Sequence, residues 1–335
     1  MTRASSMRPA AQLTLMLLAL GSVVAVSLSL GTTDLSFAQV VRALTGRGEG
    51  TENLVVLQLR LPRIVIGALV GAGFSVAGVL LQGLSRNDLA SPSTVGVEAG
   101  SGLGMMLALV LVPLAAARQT WVLPAASAGG ALMSTLLVFG LASRRGRVLP
   151  ARLLLIGIAV SYGASAATLL LSLRMDFVTH SRVIAWMSGS LSGGSWGTIR
   201  WFAPFCTALI LAAYAQARSL NVIALGDGPA TSLGVRVERQ RFAALTLATI
   251  ITSACAALAG QIGFLGLVAP HLARRLVGVE HRVLIPAAAL TGAALLVTAD
   301  ALGRRLFSPV EIPAGVLVGI LGGSYFLYLL ARTKG

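Results

Sequence analysis

Apart from arginine, the chemistry in this 335-residue chain rests on eleven carboxylates, three histidines, two cysteines and one lysine. A phosphate loop of the GxxxxGK[ST] kind needs a lysine directly after its glycines, and the sole lysine is Lys334, so ATP hydrolysis at such a loop is excluded. Gly100, Gly102 and Gly104 match no dinucleotide fingerprint and lie in an apolar run. A hydrolase would gather His with Asp, Glu or Ser, yet His180, His271 and His281 fall on different predicted sides of a membrane. An ion relay would place a carboxylate near mid-membrane. The candidates are Glu98, expected near the inner end of a third span, and Asp300, expected near the outer end of a ninth. His271 follows Pro270 and is expected to be satisfied by a carbonyl that the proline frees. Cys206 and Cys255 sit in apolar segments as small core residues, with no metal or disulfide implied. No catalytic residue, metal site or bound cofactor is therefore expected, and any work must be driven from elsewhere.

The elements that position these residues are membrane helices. With 56% hydrophobic and 11% charged residues and a mean hydropathy of +0.86, the chain reads as all-α and polytopic, one transmembrane domain over residues 1–335. The formal charge of +15 does not imply nucleic acid, because the 26 basic residues are scattered between apolar runs. Spans are predicted near 12–30, 64–84, 94–113, 121–142, 152–172, 197–217, 242–260, 262–279, 283–303 and 314–331. The first is taken as an uncleaved helix. The seventh and eighth are separated by a break at Ala259–Gly263, because one helix through that region would be about 45 Å long against a hydrocarbon core of about 30 Å. With that break, internal segments hold 16 basic residues and external ones 10; without it the division is 13 and 13. Ten spans with both termini inside follow. Gly67/Gly71, Gly96/Gly100 and Gly315/Gly319 have the spacing of close helix packing.

Between the sixth and seventh spans lies the longest polar insert of the second half, residues 218–241. Asp227 is placed to cap a short helix, Pro229 suits its first turn and Gly234 its end. Leu220, Val222, Leu225, Leu233 and Val235 give this element an apolar side too short to span anything, which calls for a partner. A second polar region, 173–197, contains WMSGSLSGGSW from Trp186 to Trp196. It reads as a loop anchored at the interface by its indoles, with a half helix at the mouth of a pathway as the alternative.

Six ordered stretches resemble one family, the FecCD-type permeases of bacterial ABC importers for ferric siderophores, haem and vitamin B12. They are LRLPR (59–63), GVLLQGLSRNDLASPSTVG (78–96), WMSGSLSGGSW (186–196), LGDGPATSLGV (225–235), GQIGFLGLVAPHLARRLVG (260–278) and ADALGRRLFSPVEIPAGVLVGILGGSYFLYLL (299–330). The resemblance covers nearly the whole chain from about Gly31. It implies a type II ABC importer permease of ten helices, paired with a second permease chain, identical or a paralogue, in the inner membrane. Two ATP-binding subunits would sit beneath it, using ATP and Mg, and a periplasmic or lipid-anchored substrate-binding protein above.

What the resemblance implies for residues is specific. Leu225, Gly226, Asp227, Ala230, Leu233, Gly234 and Val235 would enter a cleft of the ATPase. Arg60, Arg63 and Arg304, with Arg305 beside them, would face outward and meet carboxylates of the binding protein. Asn87, Asp88 and Leu89 would lie near the inner gate, where Asp88 departs from the family's usual proline; Gly228-Pro229 replaces a more helical pair in the coupling loop. The pathway is expected along the fifth span, at Ser161, Gly163 and Ser165. The function so expected is movement of an iron chelate, a ferric siderophore foremost, powered by the partner ATPase. The alternatives are an ion-coupled secondary transporter for a small metabolite and, more remotely, a membrane enzyme acting on lipids.

Overall fold

The computed structural model describes residues 8–31, 35–112, 122–144, 147–148, 150–306, 308 and 310–333. Asp34, Arg118 and Arg145, which fall between the predicted spans, lie outside the described residues, as does Lys334. The described chain is helical apart from a two-residue antiparallel pair, Ser143–Arg144 with Arg147–Val148.

The helices are α1 Pro9–Ser29, α2 Phe37–Leu44, α3 Thr51–Ser85, α4 Val97–Leu111, α5 Val122–Ala142, α6 Pro150–Ser172 and α7 Phe177–Met187. After these come α8 Trp196–Ala215, α9 Ala217–Ala224, α10 Asp227–Ser232, α11 Val237–Ala259, α12 Leu265–Val277, α13 His281–Leu306 and α14 Ala314–Thr333. Seven of them, α1, α3, α5, α6, α8, α11 and α13, are long and apolar enough to cross a membrane; α4 and α14 are shorter apolar helices.

α3 is the central post. It is 83% buried over its apolar window, and α8, α11, α12 and α13 surround it. At 1.5 Å per residue its 35 residues reach about 52 Å, well beyond a hydrocarbon core. The segment expected to be an external loop up to Arg63 thus becomes helix from Thr51, with a π-helical stretch over Leu54–Arg60. Close approach to α3 depends on glycine. A Cβ on Gly71 would strike the backbone of Gly292 on α13, and one on Gly78 the backbone of Gly266 on α12. α4, α5 and α6 form a second group, in which Gly100 and Gly104 of α4 meet Gly130 and Ser134 of α5. Gly319 has open space beside it and supports no packing role.

The expected break at 259–263 is present. Gly260 leaves α11 at φ +74°, and Phe264 enters α12 at φ +66°, a left-handed conformation uncommon for a side chain that size. α12 has only 13 residues, about 20 Å. The third predicted span is also shorter than expected, because residues 86–96 form turns and α4 starts at Val97. α7 corrects the preferred reading of its segment. Its C-terminal turn is built into the protein, with the backbone of Trp186 against Gly260 and its ring against Gly102, while Trp196, 41% exposed, donates from Nε1 to Leu57 O at 2.8 Å.

Candidate functional site

Three regions hold the residues singled out in the sequence, and each is built from different elements. At one end of the bundle α9 and α10 project between α8 and α11. α9 buries Ala217, Leu220 and Ile223 against α3 and α13. α10 is its outermost part, where Leu225 and Leu233 are each 65% exposed and Ala230 is buried. Val235 is half-buried. Gly226 reaches φ +120° and Gly234 φ +82°, so both turns bounding α10 need glycine. Asp227 does not cap α10; it is the first helical residue, and Gly226 holds the cap position without a side-chain bond. Its carboxylate pairs instead with Arg86, the left-handed residue closing α3, and with Arg241 of α11 at 2.9 Å.

Arg86 also donates to Ile223 O at 2.9 Å, so one guanidinium joins the end of α3 to both projecting helices. Directly after it come Asn87, Asp88 and Leu89. Asn87 Oδ1 accepts from Leu89 N at 2.9 Å, and Asp88 pairs with Arg274 of α12 at 2.8 Å. Arg274 in turn donates to Gln82 Oε1 at 3.0 Å. The chain of contacts therefore runs from the projecting helices to the end of α12. The start of α1 and the later part of α14 lie at this end too, since Gln12 donates to Leu276 O at 3.2 Å and Arg275 lies 6.0 Å from the ring of Tyr325.

At the opposite end, LRLPR and the end of α13 bring arginines together with acids. Arg63 holds Asp300 and Glu311, each at 2.8 Å, and Arg304 pairs with Asp300 at 3.1 Å. Arg60 donates to Leu28 O at 2.6 Å and Ser29 O at 3.1 Å; Arg304 donates to Leu30 O at 3.1 Å and Ser27 Oγ at 2.8 Å. The carbonyls at the C-terminus of α1 have no helical partners, and two cations satisfy them where the helix dipole is negative. The expectation that these arginines face outward is thus corrected for two of them. Arg60 is 5% and Arg304 4% exposed, Arg63 is mostly covered, and only Arg305 is exposed.

The third region is a cavity of about 400 Å³ where α4, α6, α7, the α11–α12 break and α14 converge. Ser93, Ser161, Ser165, Ser188 and Gln261 supply polar groups; Met187, Phe264, Gly315 and Gly319 supply apolar walls. Ser161 donates to Gly157 O at 2.7 Å and Ser93 O at 3.1 Å, fixing α6 to the turns before α4. Gly163, expected beside the two serines, faces away and does not line the cavity. Glu98 does line it, is buried, and carries no side-chain hydrogen bond or ion pair among the described residues. Ser161 and Ser165 are the twelfth and sixteenth of the 23 residues of α6, so Glu98 is level with the middle of a span and not at its end. The sequence missed this because hydropathy placed a full span from residue 94, whereas the Ser91–Gly96 turns set the start of α4 deeper.

The histidines are scattered. His180 Nδ1 is 3.1 Å from Ser172 O, His281 Nδ1 is 2.7 Å from Asn221 Oδ1, and His271 sits edge-on to Tyr325 at 5.8 Å. The carbonyl expected for His271 is not there; its Nε2 is buried without a partner among the described residues. Among the described residues no three of His, Cys, Asp and Glu gather as a metal site.

Comparison with known proteins places these features. The chain is 40% identical over 313 residues to the iron(3+)-hydroxamate import system permease protein FhuG of Bacillus subtilis, covering 92% of this chain and 93% of that one. It is 38% identical to the Fe(3+) dicitrate transport system permease protein FecD of Escherichia coli (95% and 97% covered) and 39% to the hemin transport system permease protein HmuU of Yersinia pestis (96% and 93%). In structure it resembles an inward-facing metal-chelate type ABC transporter with a TM-score of 0.83 at 29% identity, over 96% of this chain and 98% of the other. The model of the FecCD transport family matches residues 16–332, and this chain belongs to that family.

Proposed function

We propose that this chain is the membrane-spanning permease subunit of an ABC importer that moves an iron chelate, a ferric siderophore foremost, across the inner membrane of a bacterium. Family membership across residues 16–332 carries the class of function, and the relatives named for ferric hydroxamate, ferric dicitrate and hemin point to the cargo class. ATP and Mg are used by two partner subunits, one of them docked on α9–α10 of this chain; Leu225 and Leu233 enter that ATPase and Gly226, Asp227, Ala230, Gly234 and Val235 shape the protrusion. In this reading the α9–α10 end and both termini are cytoplasmic. Ten crossings result when α4, α12 and α14 are added to the seven long helices. A second permease chain covers the exposed sides of α6 and α14, with the pathway, including Ser161 and Ser165, between the two. The binding protein seats on the end bearing Arg60, Arg63, Arg304 and Arg305.

ATP-driven closure of the ATPases would pull on α10, and the Asp227–Arg86 pair would pass that motion to Asn87, Asp88 and Leu89 at the inner gate. The test is uptake of ferric hydroxamate into proteoliposomes holding the permease with and without its ATPase. Uptake should require ATP and the ATPase, and Leu233→Glu should abolish it while membrane insertion persists. Uptake by the permease alone would sink the reading and favour ion-coupled secondary transport, for which the cavity-lining Glu98 is the one supporting observation.

A further inference from the structure

Resting on the permease reading above, we propose that the cavity at Glu98 and Phe264 is an alkylammonium-recognition subsite, which receives a positively charged amine arm of the transported chelate. Two features of this chain meet there. Glu98 is 95% buried, since only 5% of it is exposed, and it has no counter-ion or hydrogen-bond donor on its side chain among the described residues. A carboxyl so placed is costly to ionise alone, and a cation brought in by a ligand supplies what the protein omits. Phe264 shares the cavity at φ +66°, and backbone strain held in place beside a cavity marks a residue whose position matters. An aromatic ring together with a carboxylate is the pairing that recognises an ammonium, one by its quadrupole and the other by its charge.

The remaining lining fits the same ligand. Ser93, Ser161, Ser165 and Ser188 offer hydroxyl oxygens as acceptors for N–H donors, and among the described residues no arginine, lysine or histidine lines the space to repel a cation. About 400 Å³ is at the small end for ligand sites, suited to a pendant arm and not to a whole ferric chelate. The body of the chelate would occupy the wider pathway beside it.

The test probes the cavity directly, in the permease–ATPase complex reconstituted in lipid nanodiscs. Dicyclohexylcarbodiimide reacts with protonated carboxyls in apolar surroundings, and peptide mass spectrometry reads its addition at Glu98. Glu98 should be labelled at neutral pH, and n-butylammonium should slow labelling at least fivefold where neutral n-pentanol at equal concentration does not. Phe264→Leu should reduce the protection several-fold without removing the labelling. No labelling of Glu98 overturns the proposal, and so does protection that is equal for the two probes or absent for both. ATP-dependent uptake measured on the same complex keeps this result separate from the permease reading, because labelling requires neither turnover nor a known cargo.

Discussion

The outer-end arginines show how far a side chain's role depends on what lies beyond its own segment. LRLPR reads as interfacial arginines because a lone Arg at a helix end usually snorkels to water. Arg60 and Arg304 instead turn inward, since their acceptors are Ser27, Leu28, Ser29 and Leu30, far away in sequence. No local pattern announces such a contact. Removing Arg304 leaves Asp300 with Arg63 alone, inside the protein, and uncovers the end of α1. Breaking a buried pair costs about 3–5 kcal/mol, with the lower figure expected here because Arg63 remains. Arg304→Ala should therefore lower the melting temperature of the purified protein sharply, while Glu311→Gln, which touches a half-exposed acid, should cost about 0.2–1 kcal/mol. If Arg304→Ala kept full stability and lost only binding-protein affinity, the clamp on α1 would be wrong.

Elements were legible where hydropathy is long and continuous, and obscure where depth decides. The long apolar helices α1, α5, α6, α8 and α13 lie within a few residues of the predicted spans, and the α11–α12 break was visible from the length of the apolar run and the charge balance. α4 and α7 were not, because a window average cannot tell a helix starting inside the membrane from one starting at its surface. The α9–α10 segment was legible as a protrusion, though its details were not: Asp227 reads as a cap by type, yet two arginines from other elements claim its carboxylate. Two predictions follow from that geometry. Gly226→Ala puts a Cβ at φ +120°, about 1–3 kcal/mol of backbone strain, and should weaken co-purification of the ATPase with little change in yield. Arg86→Ala releases α10 from the end of α3, so the ATPase should still bind while its hydrolysis no longer responds to cargo. Normal coupling in both variants would mean that α10 is not the lever.

At the scale of the whole molecule, burial is uneven, and α6 combines an exposed side with polar groups near its middle. The apolar window of α3 is 83% buried and that of α6 only 17%, although α6 contributes Ser161 and Ser165 to the mid-level cavity. A helix with hydroxyls lining a cavity and an open apolar side faces either lipid or a second permease chain. Leu155, Ile158, Tyr162, Leu169 and Leu170 lie exposed along α6, whereas Ala164 and Thr168 are buried. Single cysteines at Tyr162 and Ala166, both exposed, should cross-link to the second permease chain with a short bifunctional reagent, and the yield should change when nucleotide binds the ATPases. Cysteines at Ala164 and Thr168 are the controls and should stay unreacted. The native Cys206 and Cys255 are buried, which keeps the background low. Cross-linking that is absent at all four positions would place the partner elsewhere, and α6 would then have to be explained as a lipid-facing helix. Equal reaction at exposed and buried positions would show that α6 is not packed as described.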